Sequence, residues 1–257
     1  MTTDFSGAGD PRRSIELLWR VREKSRPGPK PRFTVEDVAA AAIAIADADG
    51  LGALSMRRVA ERLGVSAMSL YTYVPAKAEL IDLMLDTICT ETARPDEVPG
   101  GWRARVELVA RENWALYLRH PWLLQVATAR PPLGPNLIAK YDFELRAVDG
   151  IGLTDVEMDL VVQTIGDYVH GAARSAVAAT LIAQRTGLTD DQWWEQAGPA
   201  LAQVYDPAAH PTATRVGAAA GAEYQGPADP ARAFDFGLRC LLDGITARID
   251  SRPPEPG

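Results

Sequence analysis

Along most of this chain the apolar residues recur three and four positions apart, the spacing that gathers them on one face of a helix. Thr34 opens the first well-marked segment. It is a good N-cap residue, Asp37 stands three positions later, and Val35, Val38, Ala42, Ile43 and Ala46 form one face up to Gly50. Ser55 then caps a short helix whose apolar face is Met56, Val59, Ala60 and Leu63, and Gly64 is placed to end it in the left-handed conformation. Ser66 caps another short helix over 67–74, which Pro75 stops. Further on, the pattern predicts helices over 80–89, 102–120, 137–148, 155–185, 192–205 and 231–249. Pro121 and the prolines of 131–135 break the pattern, and Thr154 caps the longest helix. No segment alternates with the period of a strand, so the expected class is all-α.

Three stretches lack this signal or carry it weakly. Met1–Pro11 is expected to be disordered. Ser14–Lys24 places Ile15, Leu18, Trp19 and Arg22 at helical spacing, and RPGPKPR over 26–32 reads as a stiff basic arm. Residues 206–230, rich in Ala, Gly and Pro, are expected to form a loop. The chain thus divides into a flexible extension (1–33) holding a short helix and the basic arm, a three-helix head (34–80), and a large helical body (81–257).

The two short helices joined by Gly64-Val65-Ser66 form a helix-turn-helix, in which Gly64 supplies the positive φ and Val65 fills the elbow. Leu70 and Val74 lie four apart and face the core, which leaves Ala67, Met68, Ser69, Tyr71, Thr72 and Tyr73 on the open sides. Hydroxyls of Ser66, Ser69, Tyr71, Thr72 and Tyr73 can reach phosphate oxygens, and Ala67 and Met68 can contact thymine methyls. Arg57, Arg58 and Lys77 add phosphate-directed charge, and Arg57 is the best placed to read a guanine. No Arg, Gln or Asn lies within 67–73, so base reading by that helix leans on apolar contact.

Charge changes the picture only locally. The chain of 257 residues has a net charge of −7, which argues against coating nucleic acid or an anionic membrane with its whole surface. Residues 1–80, however, carry twelve basic and ten acidic groups, against fifteen and twenty-four in 81–257. A basic head on an acidic body points to an anionic partner for the head alone, with Arg26, Lys30 and Arg32 as possible contacts from the arm. No apolar run approaches bilayer length, no secretory signal is visible, and Cys89 and Cys240 stand alone, as suits a reducing cytoplasm.

The stretch LSMRRVAERLGVSAMSLYTYVPAKAELIDLMLD resembles the N-terminal DNA-binding domain of the TetR family of bacterial transcriptional regulators. FDFGLRCLLDGI over 234–245 is similar to the closing helix of the tetracycline-repressor-type C-terminal domain. The resemblance implies a homodimer that binds a palindromic operator in double-stranded DNA and is released by a small molecule held in the body. It also implies a four-helix bundle between subunits, built from the helices that include 167–184 and 234–249. Unlike many members of that family, this chain has some thirty residues before its first helix of the head.

Within the body, Asn113, Trp114, Tyr117, Gln163, Tyr168, His170 and Arg174 stand among apolar helical positions and are the candidate ligand-binding residues for an apolar or amphipathic effector. No catalytic, cofactor-binding or metal-binding motif is present, and His120, His170 and His210 are isolated from other ligand-type residues. The alternative readings are an activator or an architectural DNA-binding protein without a sensor and, more remotely, a helical enzyme.

Overall fold

The structure, a computed structural model, describes residues 4–21, 33–224 and 226–251. Among them are eleven α-helices: α1 (Pro11–Leu18), α2 (Val35–Asp49), α3 (Met56–Leu63), α4 (Ala67–Tyr71), α5 (Lys77–Ile88), α6 (Gly101–Arg119), α7 (Pro135–Arg146), α8 (Asp155–Thr186), α9 (Asp190–Ala202), α10 (Pro211–Tyr224) and α11 (Pro230–Asp250). The all-α class holds, with one small addition. Two-residue strands, β1 (Asp4–Phe5) and β2 (Val126–Ala127), pair in parallel.

The helices start where polar caps permit it. Thr34 with Asp37, Thr154 with Glu157 and Thr189 with Gln192 each form a capping box, so two of the orphan donors of each first turn are satisfied. Helix α3 runs from its Ser55 cap to Gly64, whose φ of +68° closes it in the left-handed region. Helix α4 is shorter than its sequence pattern: it ends at Tyr71 because Thr72–Val74 turn toward Pro75.

Two apolar cores result. The first joins α1, α2, α3, α4 and α5 through Leu18, Val38, Val59, Leu70, Val74 and Leu83. Small side chains on α2, among them Ala39 and Ala42, let its neighbours approach closely. This core also takes in Trp122 and Leu123 from a 3₁₀ turn after α6 and Val126 from β2, so the body enters the core of the head. The second core lies in the body, where α8 packs against α6 and α11 through Val106, Val109, Ile165, Val169, Phe234 and Leu238.

Two expectations need correction. The first residues are not disordered: 4–10 are placed along α5, and Asp10 caps α1 by accepting from the backbone N–H groups of Arg12 and Arg13. Only Ser14 and Leu18 of α1 are buried, while Ile15 and Trp19 are partly exposed. The basic arm with Arg26, Lys30 and Arg32 lies outside the described residues. The second correction is α10, which occupies a region expected to be a loop. It has no buried residue, so it lacks the amphipathic stripe the pattern search needs and rests on the helix propensity of its alanines.

At the junction of head and body, His120 is buried with Nδ1 2.7 Å from an Asp47 carboxylate oxygen and Nε2 3.0 Å from Glu91. Burial alone would push the Glu91 carboxyl up, but the hydrogen bonds from His120 and Arg119 prevail and hold it below its ordinary 4.5. Its contribution to stability is therefore present above pH 4.5 and lost as pH falls through the lowered folded value. Glu91→Gln is expected to flatten the acid limb of stability below about pH 4.5. Urea unfolding across that range checks this; equal acid limbs in the two proteins would mean that the pairing contributes nothing.

Candidate nucleic-acid interface and cavity

The outer surface of the helix-turn-helix follows from which residues the first core claims. Leu70 and Val74 are fully buried, as their spacing requires, and Val65 packs at the elbow. Four residues of the second helix and its end are left exposed: Met68, Ser69, Tyr71 and Thr72. Met68 is 77% exposed, a large apolar side chain left mostly in water.

Two of the expected outward residues turn inward instead. Ala67 packs against the core, and the Tyr73 ring lies against Phe33, with centroids 4.2 Å apart. The cause is the early end of α4, since Tyr73 no longer follows the helical direction of Met68 and Tyr71. Ser66 acts as a cap: its Oγ accepts from the Ser69 backbone N–H at 3.2 Å and meets Ser69 Oγ at 2.9 Å.

The three cations are each paired within the chain. Arg57, with its side chain 85% exposed, donates to Glu61 at 2.7 Å, and Arg58 donates to Asp49. Such exposed pairs are worth little and exchange readily for a phosphate. Lys77 differs, for its ammonium lies 3.1 Å from Asp4, a residue of the N-terminal segment, and both side chains are partly buried.

The body holds a cavity of about 350 Å³, walled by α5, α6, α7, α8 and the 123–132 segment. Four of the seven expected ligand-binding residues line it: Asn113, Tyr117, Gln163 and His170. Asn113 and Tyr117 lie four apart on α6, and Gln163 and His170 seven apart on α8, so each pair shares a helix face. Trp114, Tyr168 and Arg174 do not line it. Trp114 stacks on Phe234 with centroids 4.3 Å apart, and Tyr168 donates to the Phe234 carbonyl at 2.7 Å, so both pack toward α11. Arg174 is exposed on α8, away from this wall.

The wall also has polar members that the sequence reading missed. Lys140 and Glu144 form a largely buried ion pair on α7, and Asn113 donates to Glu144 at 2.9 Å. In sequence they are an ordinary i, i+4 pair of the kind found on solvated helices. Burial pushes the Cys89 thiol up to about 12, so it lines the cavity as an unreactive neutral group. Burial also raises Tyr117 to about 12, leaving a neutral hydroxyl at the cavity edge. The arrangement suits a molecule with an apolar body and a few polar groups.

Helix α5 touches both regions. Its first residue, Lys77, follows the helix-turn-helix, and Leu85 and Ile88 near its end line the cavity. Three acids on one side of it are buried: Glu79, Asp82 and Asp86. Burial raises Asp86, although the backbone N–H groups of Leu137 and Asn136 and the Asn136 amide donate to it at the start of α7.

Comparison with known proteins adds two sequence families. Residues 38–84 match "Bacterial regulatory proteins, tetR family", and residues 94–249 match "Tetracyclin repressor-like, C-terminal domain". The chain is 44% identical to the HTH-type transcriptional repressor DrrR1 of Streptomyces coeruleorubidus over 99% of its own length and 92% of that protein's. It is 26% identical to the Escherichia coli class E tetracycline repressor over 88% and 96%. Among solved structures, ActR from Streptomyces coelicolor in complex with actinorhodin superposes with a TM-score of 0.68 at 27% identity, covering 85% of this chain and 99% of that one.

Proposed function

Because the chain belongs to the TetR family of bacterial regulators, we propose that it works as a dimeric transcriptional repressor that leaves its operator when a small molecule fills the body cavity. The observation that carries this reading is the course of α5. Its twelve residues run from the helix-turn-helix to the cavity wall, so a ligand pressing on Leu85 and Ile88 bears on the same rigid element that positions the head. Ligand and DNA then favour different positions of α5, and each must weaken the other by the same factor.

Met68, Ser69, Tyr71 and Thr72 form the reading surface, with Arg57 and Arg58 released from Glu61 and Asp49 to phosphates or bases. Asn113, Tyr117, Gln163 and His170 orient an amphipathic effector, together with Lys140 and Glu144. The body is a sensor rather than an enzyme in this reading. Among the described residues no helix is long and apolar enough to cross a membrane, and we place the protein in the cytoplasm with its DNA.

The test is binding to the DNA flanking its own gene, followed by fluorescence anisotropy across a salt series. Saturable binding by two protomers that survives competitor DNA supports the reading. Weak binding equal on every fragment would count against a specific operator there.

Gly166 offers a separate check on the cavity. It lines the space on α8, and a Cβ built there meets nothing within 4 Å. Gly166→Leu is expected to fill the cavity and to raise stability, since glycine inside a helix costs about 1 kcal/mol relative to alanine. Fluorescence of the dye anilinonaphthalene sulfonate should fall while DNA binding persists. Undiminished dye fluorescence would mean that this cavity is not where apolar ligands enter.

A further inference from the structure

The N-terminal segment ties the cavity wall to the DNA-binding head. On one side, β1 pairs with β2, the Ser6 backbone N–H donates to Ala127 O at 3.0 Å, and Ser6 Oγ donates to Arg130 O at 2.7 Å. Trp19 Nε1 donates to Leu133 O at 2.9 Å. Those acceptors belong to the 126–133 segment, of which Val126, Thr128, Pro131 and Pro132 line the cavity. On the other side the same residues grip α5. The Gly7 N–H and Ser14 Oγ each donate to Asp82 at 2.9 Å, the Asp10 N–H donates to Glu79 at 3.3 Å, and Asp4 holds Lys77.

Two glycines make the close passage possible. Gly7 has a φ of +62°, and a Cβ there would lie 2.9 Å from Arg130 Cβ. A Cβ on Gly9 would lie 2.6 Å from Glu79 Oε1. Apart from Leu18, this segment holds on through polar contacts more than through apolar burial. Glu79 Oε2 is buried with no partner among the described residues, so release of the segment would return that carboxylate to water. The attachment is therefore firm in place yet separable.

We propose that residues 4–19 are a strap through which the cavity wall acts on α5, with Asp4 competing against DNA phosphate for Lys77. When the wall at 126–133 shifts, β1 shifts with it, and Asp4 either keeps or yields the ammonium that stands at the foot of the helix-turn-helix. This rests on the reading that the head binds DNA.

The test uses the full chain on a duplex of arbitrary sequence, so it needs neither the operator nor the effector. Affinity is measured by anisotropy between about 50 and 200 mM salt, where each phosphate neutralised by a cation steepens the log–log salt slope by about 0.9. Asp4→Asn is expected to free Lys77, tighten binding and steepen the slope by about that amount. Lys77→Met added to Asp4→Asn should abolish that gain. Gly7→Val, which meets the wall at Arg130 while leaving Asp4 intact, should steepen the slope as Asp4→Asn does. Circular dichroism confirms folding of each variant.

If the wild type binds and Asp4→Asn matches its slope, the competition is overturned while DNA binding stands. If Asp4→Asn steepens the slope but folded Gly7→Val does not, the coupling through the wall is overturned. A wild type that binds no duplex overturns both this inference and the reading beneath it.

Discussion

Trp122→Ala is expected to cost about 3–5 kcal/mol of stability, the range for removing a large aromatic side chain from a packed core. Trp122 is 1% exposed and belongs to the core of the head although it comes from the turn after α6. Its indole N–H donates to Asp47 on α2 at 2.8 Å, beside the contact of His120 with the same carboxylate oxygen. The variant therefore loses packing volume and one of the donors to Asp47 together. Trp122→Phe keeps most of the volume and should cost less, with the missing hydrogen bond worth about 1 kcal/mol. Urea unfolding of both variants checks the ranking. A loss below about 1 kcal/mol for the alanine variant would mean that the turn is not part of the cooperative core. A second consequence concerns signalling, because Leu123 and Val126 next to Trp122 line the cavity and also pack in the core of the head, so loosening this turn weakens one contact between wall and head. The alanine variant should then respond less to effector at temperatures where it is still folded.

That junction also shows where sequence reading ends. The helices were legible because each has a periodic face and most have a polar cap, and the helix-turn-helix was legible because Gly64 and the Leu70–Val74 pair have few other uses. His120 looked isolated, since Asp47 and Glu91 lie 73 and 29 residues from it and only folding brings them together. Nothing in the local sequence marks Glu79, Asp82 and Asp86 on α5 as buried. Their donors come from residues 7–14 and 136–137, which no local pattern connects to α5. Strand β1 was invisible for the same reason, as two residues paired with the distant Val126 and Ala127 carry no period of their own. For the cavity the sequence pointed to α6 and α8, two of the helices that wall it, but could not separate their two apolar sides. Helix α6 turns Asn113 and Tyr117 to the cavity and Trp114 to Phe234, and both sides look equally apolar in sequence.

Leu160→Glu combined with Phe236→Glu is expected to give a folded monomer whose affinity for a palindromic operator is about 10²- to 10⁴-fold lower, the range gained by linking two weak sites. TetR-family repressors function as dimers, and we place the interface on the outer sides of α8 and α11. Phe234, Leu238 and Leu242 turn α11 toward the body core, which leaves Phe236, two residues on, facing outward and 64% exposed. Leu160 on α8 is 51% exposed, and further along the same helix Gly171, Ala178 and Leu181 offer a surface that another helix can approach closely. Apolar side chains this large are rarely left in water when a two-fold partner can cover them. Four glutamates brought together across such a two-fold would be desolvated without partners, a cost that a dimer cannot meet. Each protomer should still fold, because neither side chain is part of its core, and circular dichroism should show unchanged helix content. Sedimentation velocity reads the oligomeric state. The two heads of a dimer must sit roughly 34–36 Å apart to meet successive major grooves, and a monomer has only one head to offer. Non-specific binding per head should therefore change little while operator binding collapses. A variant that remains dimeric would move the interface elsewhere, and the exposed Trp193 and Trp194 on α9 would be the next residues to replace.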